Sequence, residues 1–207
     1  MQKPYISIEG NIGAGKTTFA HALAQHLGAH LLLEEFENNE ALKDFYTVQL
    51  ETSKNQFALA AEMQFLLDRY RQQQRFFSTH SDSRQAIVSD YLPHKSLLFA
   101  EMNLDAHQFE VYHKTFDAFM KELPQPNLIV YLEVSPKELL ANIKKRGRTY
   151  EQKISLTYLE QINHHYKQLL QKLSTEVPVI VFSQADEYQA HQQEAINKIV
   201  ETINAAY

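Results

Sequence analysis

Eight residues near the start of the chain, Gly10-Asn11-Ile12-Gly13-Ala14-Gly15-Lys16-Thr17, restrict the fold more than any other stretch. They fit the pattern G-x-x-x-x-G-K-[ST] in full. The chain has 207 residues and five glycines, and three of the five fall within this one loop. An apolar run over residues 5–10 leads into it, and a helical pattern over 17–27 leads out. Strand, glycine loop and helix together form the setting in which this pattern cradles phosphate. The glycines let successive N–H groups turn inward and make an anion nest. The helix N-terminus adds partial positive charge. Lys16 reaches the terminal phosphates as a mobile cation, and Thr17 offers a hydroxyl to Mg²⁺, which takes hard oxygen ligands. The expectation is a nucleoside triphosphate held by residues Gly10 to Thr17 and by Thr18.

Four further apolar runs, over 30–36, 85–91, 127–134 and 177–182, resemble the first. Each is short and bounded by polar or turn residues, as buried parallel strands are. Helical patterns lie between them, from about 41 to 77, from about 96 to 123, over 156–173, and from about 190 to 203. Pro124 and Pro126 separate the second long helical segment from the following strand. Strand alternating with helix predicts an α/β protein with a five-stranded parallel sheet flanked by helices in three layers, the fold of the P-loop NTPases. The long helical segments exceed what a crossover requires, so they predict a helical layer beside the sheet. No internal repeat or linker divides the chain, and a single domain over 1–207 is expected.

Composition excludes several classes. The formal charge of −5 argues against a nucleic-acid binder. The absence of cysteine excludes disulfides and thiolate metal sites. No apolar run approaches the roughly 20 residues of a membrane span, and the first residues lack the apolar core of a signal peptide. A cytoplasmic protein without membrane or nucleic-acid partners is expected. The ten histidines show no convincing ligand spacing; His164 and His165 are helix neighbours that point apart.

Three fates of the bound triphosphate compete: a GTP-dependent switch, a mechanical ATPase and a small-molecule kinase. The N-K-x-D base reader of the switch class is missing, and the chain is too short for a motor's accessory domains. The remaining charges favour the kinase. In a doubly wound sheet, the acting groups come from the carboxyl ends of strands. Glu34 and Glu35 end the second apolar run, directly after its three leucines, and alternation turns only one of them toward the nucleotide. Asp90 ends the third. A basic segment at about 144–153 carries Arg146 and Arg148 around Gly147, the composition of a lid that closes over phosphates.

These segments, "IEGNIGAGKTTF", "LLLEEFENNEALKDFY", "SDYLPHKSLLFAE" and "KKRGRTYEQKISLTYLEQINHHY", resemble those of the deoxyribonucleoside kinases, in the same order and over nearly the whole chain. Within that family, "AAEMQFLLDRY" resembles the bacterial deoxyadenosine and deoxyguanosine kinases. The resemblance implies ATP- and Mg²⁺-dependent phosphorylation of a deoxyribonucleoside 5′-hydroxyl, with a purine slightly favoured, for nucleotide salvage, and a homodimer through the long helices. It implies Glu34 as the base on the 5′-hydroxyl, with Glu35 in reserve. Tyr46 and Glu151 resemble the pair on the 3′-hydroxyl. "AAEMQFLLDRY" resembles the base-reading helix and puts Glu62 and Arg69 near the nucleobase, with Gln64 as an alternative. Arg146 and Arg148 resemble the lid arginines, and Asp90 the strand-end acid, which would reach Mg²⁺ through water. The family usually has an arginine after that acid. Here the position is Tyr91, and Lys95 is expected to supply the cation. Two other readings stay open on the same fold: a thymidylate or other nucleoside monophosphate kinase, and a non-catalytic nucleotide-binding protein.

Overall fold

Five short apolar runs form one parallel sheet of order β2-β3-β1-β4-β5. In the computed structural model, which describes residues 4–35, 58–183 and 192–206, these strands are β1 (Tyr5–Gly10), β2 (His30–Leu32), β3 (Ile87–Ser89), β4 (Leu128–Glu133) and β5 (Val179–Ser183). Every pairing is parallel, and Tyr5 lies beside Ile87 as Ile6 lies beside Leu128. The strands after β1 are shorter than the apolar runs that announced them; β2 ends two residues before Glu34, and β3 ends one residue before Asp90.

Alternation along β4 shows why both sheet faces are covered. Leu128, Val130 and Leu132 point into a cluster with Phe19, Leu23, Ile196 and Ile199. These come from α1 (Lys16–Leu27) and from the last helix of the chain. Ile129 and Tyr131 point to the other face and meet Leu98, Ile162, Tyr166 and Leu170. Period-two burial on both faces is the signature of an interior parallel strand.

The helices on the second face are α3 (Lys95–Asn103) and α6 (Leu156–Leu173). Outside them lies a third cluster, in which Leu66 of α2 (Ala58–Thr79) packs on Ala100 of α3 and on Tyr112, Phe116 and Met120 of α4 (Ala106–Met120). This is the helical layer that the excess length predicted. The segment expected as one helix over 96–123 is two. Leu104 leaves the helical region at φ −104°, ψ 151°, and Asp105 starts α4 by accepting from the Gln108 N–H, while the Gln108 side chain accepts from the Asp105 N–H. Such a capping box stabilises a new helix start more than an Asp in mid-helix would stabilise continuation.

Pro136–Arg146 forms α5, which carries its own capping box at Ser135 and Glu138. A single 3-10 turn, Thr149–Glu151, follows, and Gln192–Ala206 forms α7. No helix among the described residues is long and apolar enough to cross a membrane.

The glycine loop is locked to α5. Gly13 has φ +84°, and a Cβ there would fall 2.9 Å from the Leu139 carbonyl oxygen and 3.0 Å from Ile143 Cγ1. Asn142 Nδ2 donates to the Gly13 oxygen at 3.0 Å from the same helix. Gly13→Ala therefore introduces both backbone strain and a clash. It is expected to cost about 1–3 kcal/mol, read as a Tm lowered by about 2–4 °C for each kcal/mol in a thermal melt.

Candidate active site

The site lies where the chain reverses its direction of growth across the sheet, at the carboxyl ends of the neighbouring strands β1 and β3. The loop Asn11–Gly15 leaves β1 and turns into α1. Lys16 folds back over it, donating to the Gly10 oxygen at 2.8 Å and the Asn11 oxygen at 3.0 Å. Burial and then the charge of Lys95 push its ammonium pKa down. Asn11 pins the loop to α6, donating to the Leu159 oxygen at 2.9 Å and to Asn163 Oδ1 at 2.6 Å. Its own Oδ1 accepts from the Ile12 N–H. Ala14 closes a turn onto the Asn11 oxygen. Thr18 stands on the exposed side of the first turn of α1.

Asp90 joins three elements. Its Oδ2 accepts from the Thr17 hydroxyl at 2.6 Å, and its Oδ1 accepts from the Glu34 N–H at 2.8 Å. One carboxylate thus fixes the distance between the first helix, the end of β3 and the residue after β2. Thr17 and Asp90 put two hard oxygens side by side, a donor set that suits Mg²⁺. Among the described residues no cluster of three or more His, Asp or Glu side chains could hold a metal without other ligands.

Glu34 turns inward and Glu35 turns out. The Glu34 carboxylate accepts from Lys95 Nζ at 2.5 Å and from Arg69 Nε at 2.8 Å, and its side chain is only 13% exposed. Burial pushes its pKa up, but Lys95 and Arg69 outweigh burial and hold it at about 2. Glu35 is exposed and, among the described residues, pairs with Arg75 at 3.6 Å. Lys95 does reach the centre of the site. The preceding Tyr91, which stands where an arginine was anticipated, is fully buried, and its hydroxyl donates to Gln72. Arg69 also donates to Ser96 Oγ at 2.7 Å.

Glu62 and Gln64 separate. Glu62 is buried on α2 and accepts from Asn103 Nδ2 at 2.6 Å. Gln64 is exposed and donates to Asp68. In the basic segment at 144–153, Arg146 forms a forked pair with Glu151, with Nη2 at 2.6 Å and 2.7 Å from its two oxygens, and Arg148 lies 3.7 Å from the same carboxylate. Tyr46 lies outside the described residues.

Three supporting groups escape a motif-based reading: Glu9, Ser96 and Asn103. Glu9 did leave a signal, since it is an acid inside the apolar run Tyr5–Gly10. It is 1% exposed and accepts from the Gly10 and Leu92 N–H groups and from the Tyr166 hydroxyl. Ser96 and Asn103 left no signal, because a polar residue on a helix says nothing about its partner.

The known proteins that this chain resembles agree with the geometry. A family model, Deoxynucleoside kinase, matches residues 6–206. A deoxyguanosine kinase of Bacillus subtilis is 37% identical over 183 residues, covering 88% of this chain and 86% of its own. A deoxyadenosine kinase of Dictyostelium discoideum is 32% identical over 185 residues, covering 87% of this chain and 72% of its own. The solved structure of a deoxyadenosine kinase from M. mycoides superposes with a TM-score of 0.79 at 24% identity, over 97% of this chain and 99% of that one, and so shares the fold. A phosphate loop, an inward carboxylate between two cations and a match over nearly the full length place this chain in the deoxynucleoside kinase family, enzymes that phosphorylate a deoxynucleoside.

Proposed function

We propose that this enzyme transfers the terminal phosphoryl group of ATP to the 5′-hydroxyl of a purine deoxyribonucleoside, releasing the 5′-monophosphate for nucleotide salvage. The observation that carries the reading is Glu34, an inward carboxylate held between Lys95 and Arg69 next to the phosphate loop. A carboxylate there suits a neutral hydroxyl acceptor and repels an acceptor that already bears a phosphate. The purine reading draws on the Bacillus subtilis and Dictyostelium discoideum relatives, named for deoxyguanosine and deoxyadenosine.

Each residue then has a task. The backbone N–H groups from Gly10 through Thr18 surround the ATP phosphates. Thr17 and Asp90 offer oxygens to Mg²⁺, which when bound neutralises charge on the phosphate oxygens. Lys16 leaves the Gly10 and Asn11 carbonyls for the triphosphate. Glu34 is ionised at neutral pH, so it accepts a hydrogen bond from the acceptor hydroxyl, aims the hydroxyl oxygen in line and takes its proton as the new P–O bond forms and ADP leaves. Phosphoryl transfer through a loose transition state depends mostly on such positioning and on nearby cations. Lys95, Arg146 and Arg148 supply those cations. Glu151 and Tyr46 hold the 3′-hydroxyl, while Arg69 and Glu62 lie toward the base. A homodimer through the long helices and a cytoplasmic location complete the reading.

Purified enzyme is assayed with ATP and each of the four deoxynucleosides, and separately with thymidine monophosphate. Product from a purine deoxynucleoside is expected, and product from the monophosphate alone would replace this reading with a monophosphate kinase. Glu34→Gln is expected to lower kcat by about 10²–10⁴-fold; a variant within a few-fold of wild type would remove Glu34 from the mechanism. Chelating divalent cations is expected to abolish transfer, with activity restored by added Mg²⁺. Light scattering is expected to give twice the 24.1 kDa mass of one chain.

A further inference from the structure

Two neighbouring turns of α2 face the end of β2. Arg69 and Gln72 are three residues apart and therefore share a face of that helix. Arg69 holds the Glu34 carboxylate. Gln72 holds the backbone just before it, since its Nε2 donates to the Leu33 oxygen at 2.6 Å. The Leu33 carbonyl and the Glu34 N–H are the two ends of one planar peptide unit. Asp90 Oδ1 accepts from the N–H end at 2.8 Å. The peptide that leads into Glu34 is thus gripped at both ends, by α2 on one side and by the residue after β3 on the other.

The Gln72 amide takes its orientation from Tyr91. A carbonyl oxygen only accepts, so the amide turns its NH₂ to Leu33 and its own oxygen away. That oxygen accepts from the Tyr91 hydroxyl at 2.8 Å. Burial pushes the Tyr91 pKa well above the usual tyrosine value, so the proton stays on the hydroxyl and is there to be donated. Gln72 is 7% exposed and Tyr91 0%, so both bonds are shielded from water. Tyr91 is itself fixed, because its backbone oxygen accepts from Ser7 Oγ and Ser89 Oγ, each at 2.9 Å. Lys95 Nζ, the other partner of Glu34, lies over the Tyr91 ring at 5.7 Å from its centroid, within the range of a cation–π contact.

We propose that Tyr91 and Gln72 are positioning residues for the transfer: the hydroxyl orients the amide, the amide fixes the Leu33–Glu34 peptide, and the peptide sets where the Glu34 carboxylate stands beside the phosphate loop. Neither side chain touches a reacting group. The inference rests on Glu34 as the base on the acceptor hydroxyl and adds how that base is held. Without the hydroxyl, the Gln72 oxygen becomes a buried acceptor with no donor, the amide is free to turn, and the Leu33 oxygen loses its partner. The peptide then pivots on Asp90 alone, and the carboxylate shifts away from the hydroxyl it must aim.

The test is a double-mutant cycle in kcat, with saturating ATP and Mg²⁺ and whichever deoxynucleoside the wild type turns over fastest. Tyr91→Phe removes the hydroxyl and keeps the ring under Lys95. Gln72→Met removes both amide bonds at similar volume. Each is made alone and together with Glu34→Gln, and every variant is assayed below the onset of its own thermal melt. Each single variant is expected to lower kcat about ten- to a hundredfold, since a small misplacement of a reacting group costs up to about 10²-fold. KM for ATP is expected to change by less than about threefold, because ground-state binding of the triphosphate does not run through either side chain. On Glu34→Gln, either substitution is expected to lower kcat by no more than about twofold, since a residue that acts through Glu34 has nothing left to position. An equal loss in both backgrounds marks the two residues as generally structural and overturns the inference while Glu34 keeps its role. Single variants within about threefold of wild type in kcat overturn it too, as does failure of both to fold; one that folds is enough for the cycle. Glu34→Gln within a few-fold of wild type overturns the base reading and this inference together.

Discussion

The site depends on an acid at the end of the central strand. Glu9 has almost no contact with solvent, and a polar group so placed costs stability unless its bonds are made. Three donors make them: the Gly10 N–H at the mouth of the phosphate loop, the Leu92 N–H beyond β3, and the Tyr166 hydroxyl on α6. Leu92 lies two residues after Asp90 and three before Lys95. The same carboxyl therefore sets the glycine loop against the segment that carries Asp90 and Lys95. Ser7 Oγ and Ser89 Oγ, which both donate to the Tyr91 oxygen, fix that segment from below. A hydrophobic residue at position 9 would fill the space and leave two backbone N–H groups unpaired, which is the larger penalty.

Around this anchor the charges form a closed arrangement. Asp90 orders Thr17 and the backbone of Glu34; Glu34 orders Lys95 and Arg69; Arg69 reaches on to Ser96. In a half-buried setting these interactions are screened less than surface pairs. Their value lies in fixing these polar groups relative to one another, since a site so organised in advance needs little rearrangement when a ligand enters.

Much of this was legible. The strand at the start could be read to the residue and the helix after the glycine loop to within one, and 156–173 was bounded correctly, because a long amphipathic period with a Ser cap leaves little freedom. The break at Leu104 was not read, although Asp105 and Gln108 have capping-box spacing; the apolar period runs on through it and masks the signal. Alternation told that only one of Glu34 and Glu35 could face inward, and resemblance chose between them. The local sequence could not, since alternation says that the two face opposite ways and not which of them faces in. Ser96 and Asn103 became visible only when α3 was packed on α2. Long-range pairing of this kind is a property of the fold rather than of any segment.

The trio of Glu34, Lys95 and Arg69 also limits how this chain can change over time. Loss of Glu34 leaves two cations in a confined place without their counterion, and that is more harmful than losing a whole pair together. Effects of substitutions at the three positions are therefore expected to be strongly non-additive. A lineage that replaces Lys95 is left with Arg69 as the one cation on Glu34 unless a new cation is already in place. Tyr91, buried and engaged with Gln72, is not available to provide one from where it stands. The arrangement of cations in this enzyme is in that sense inherited as a block.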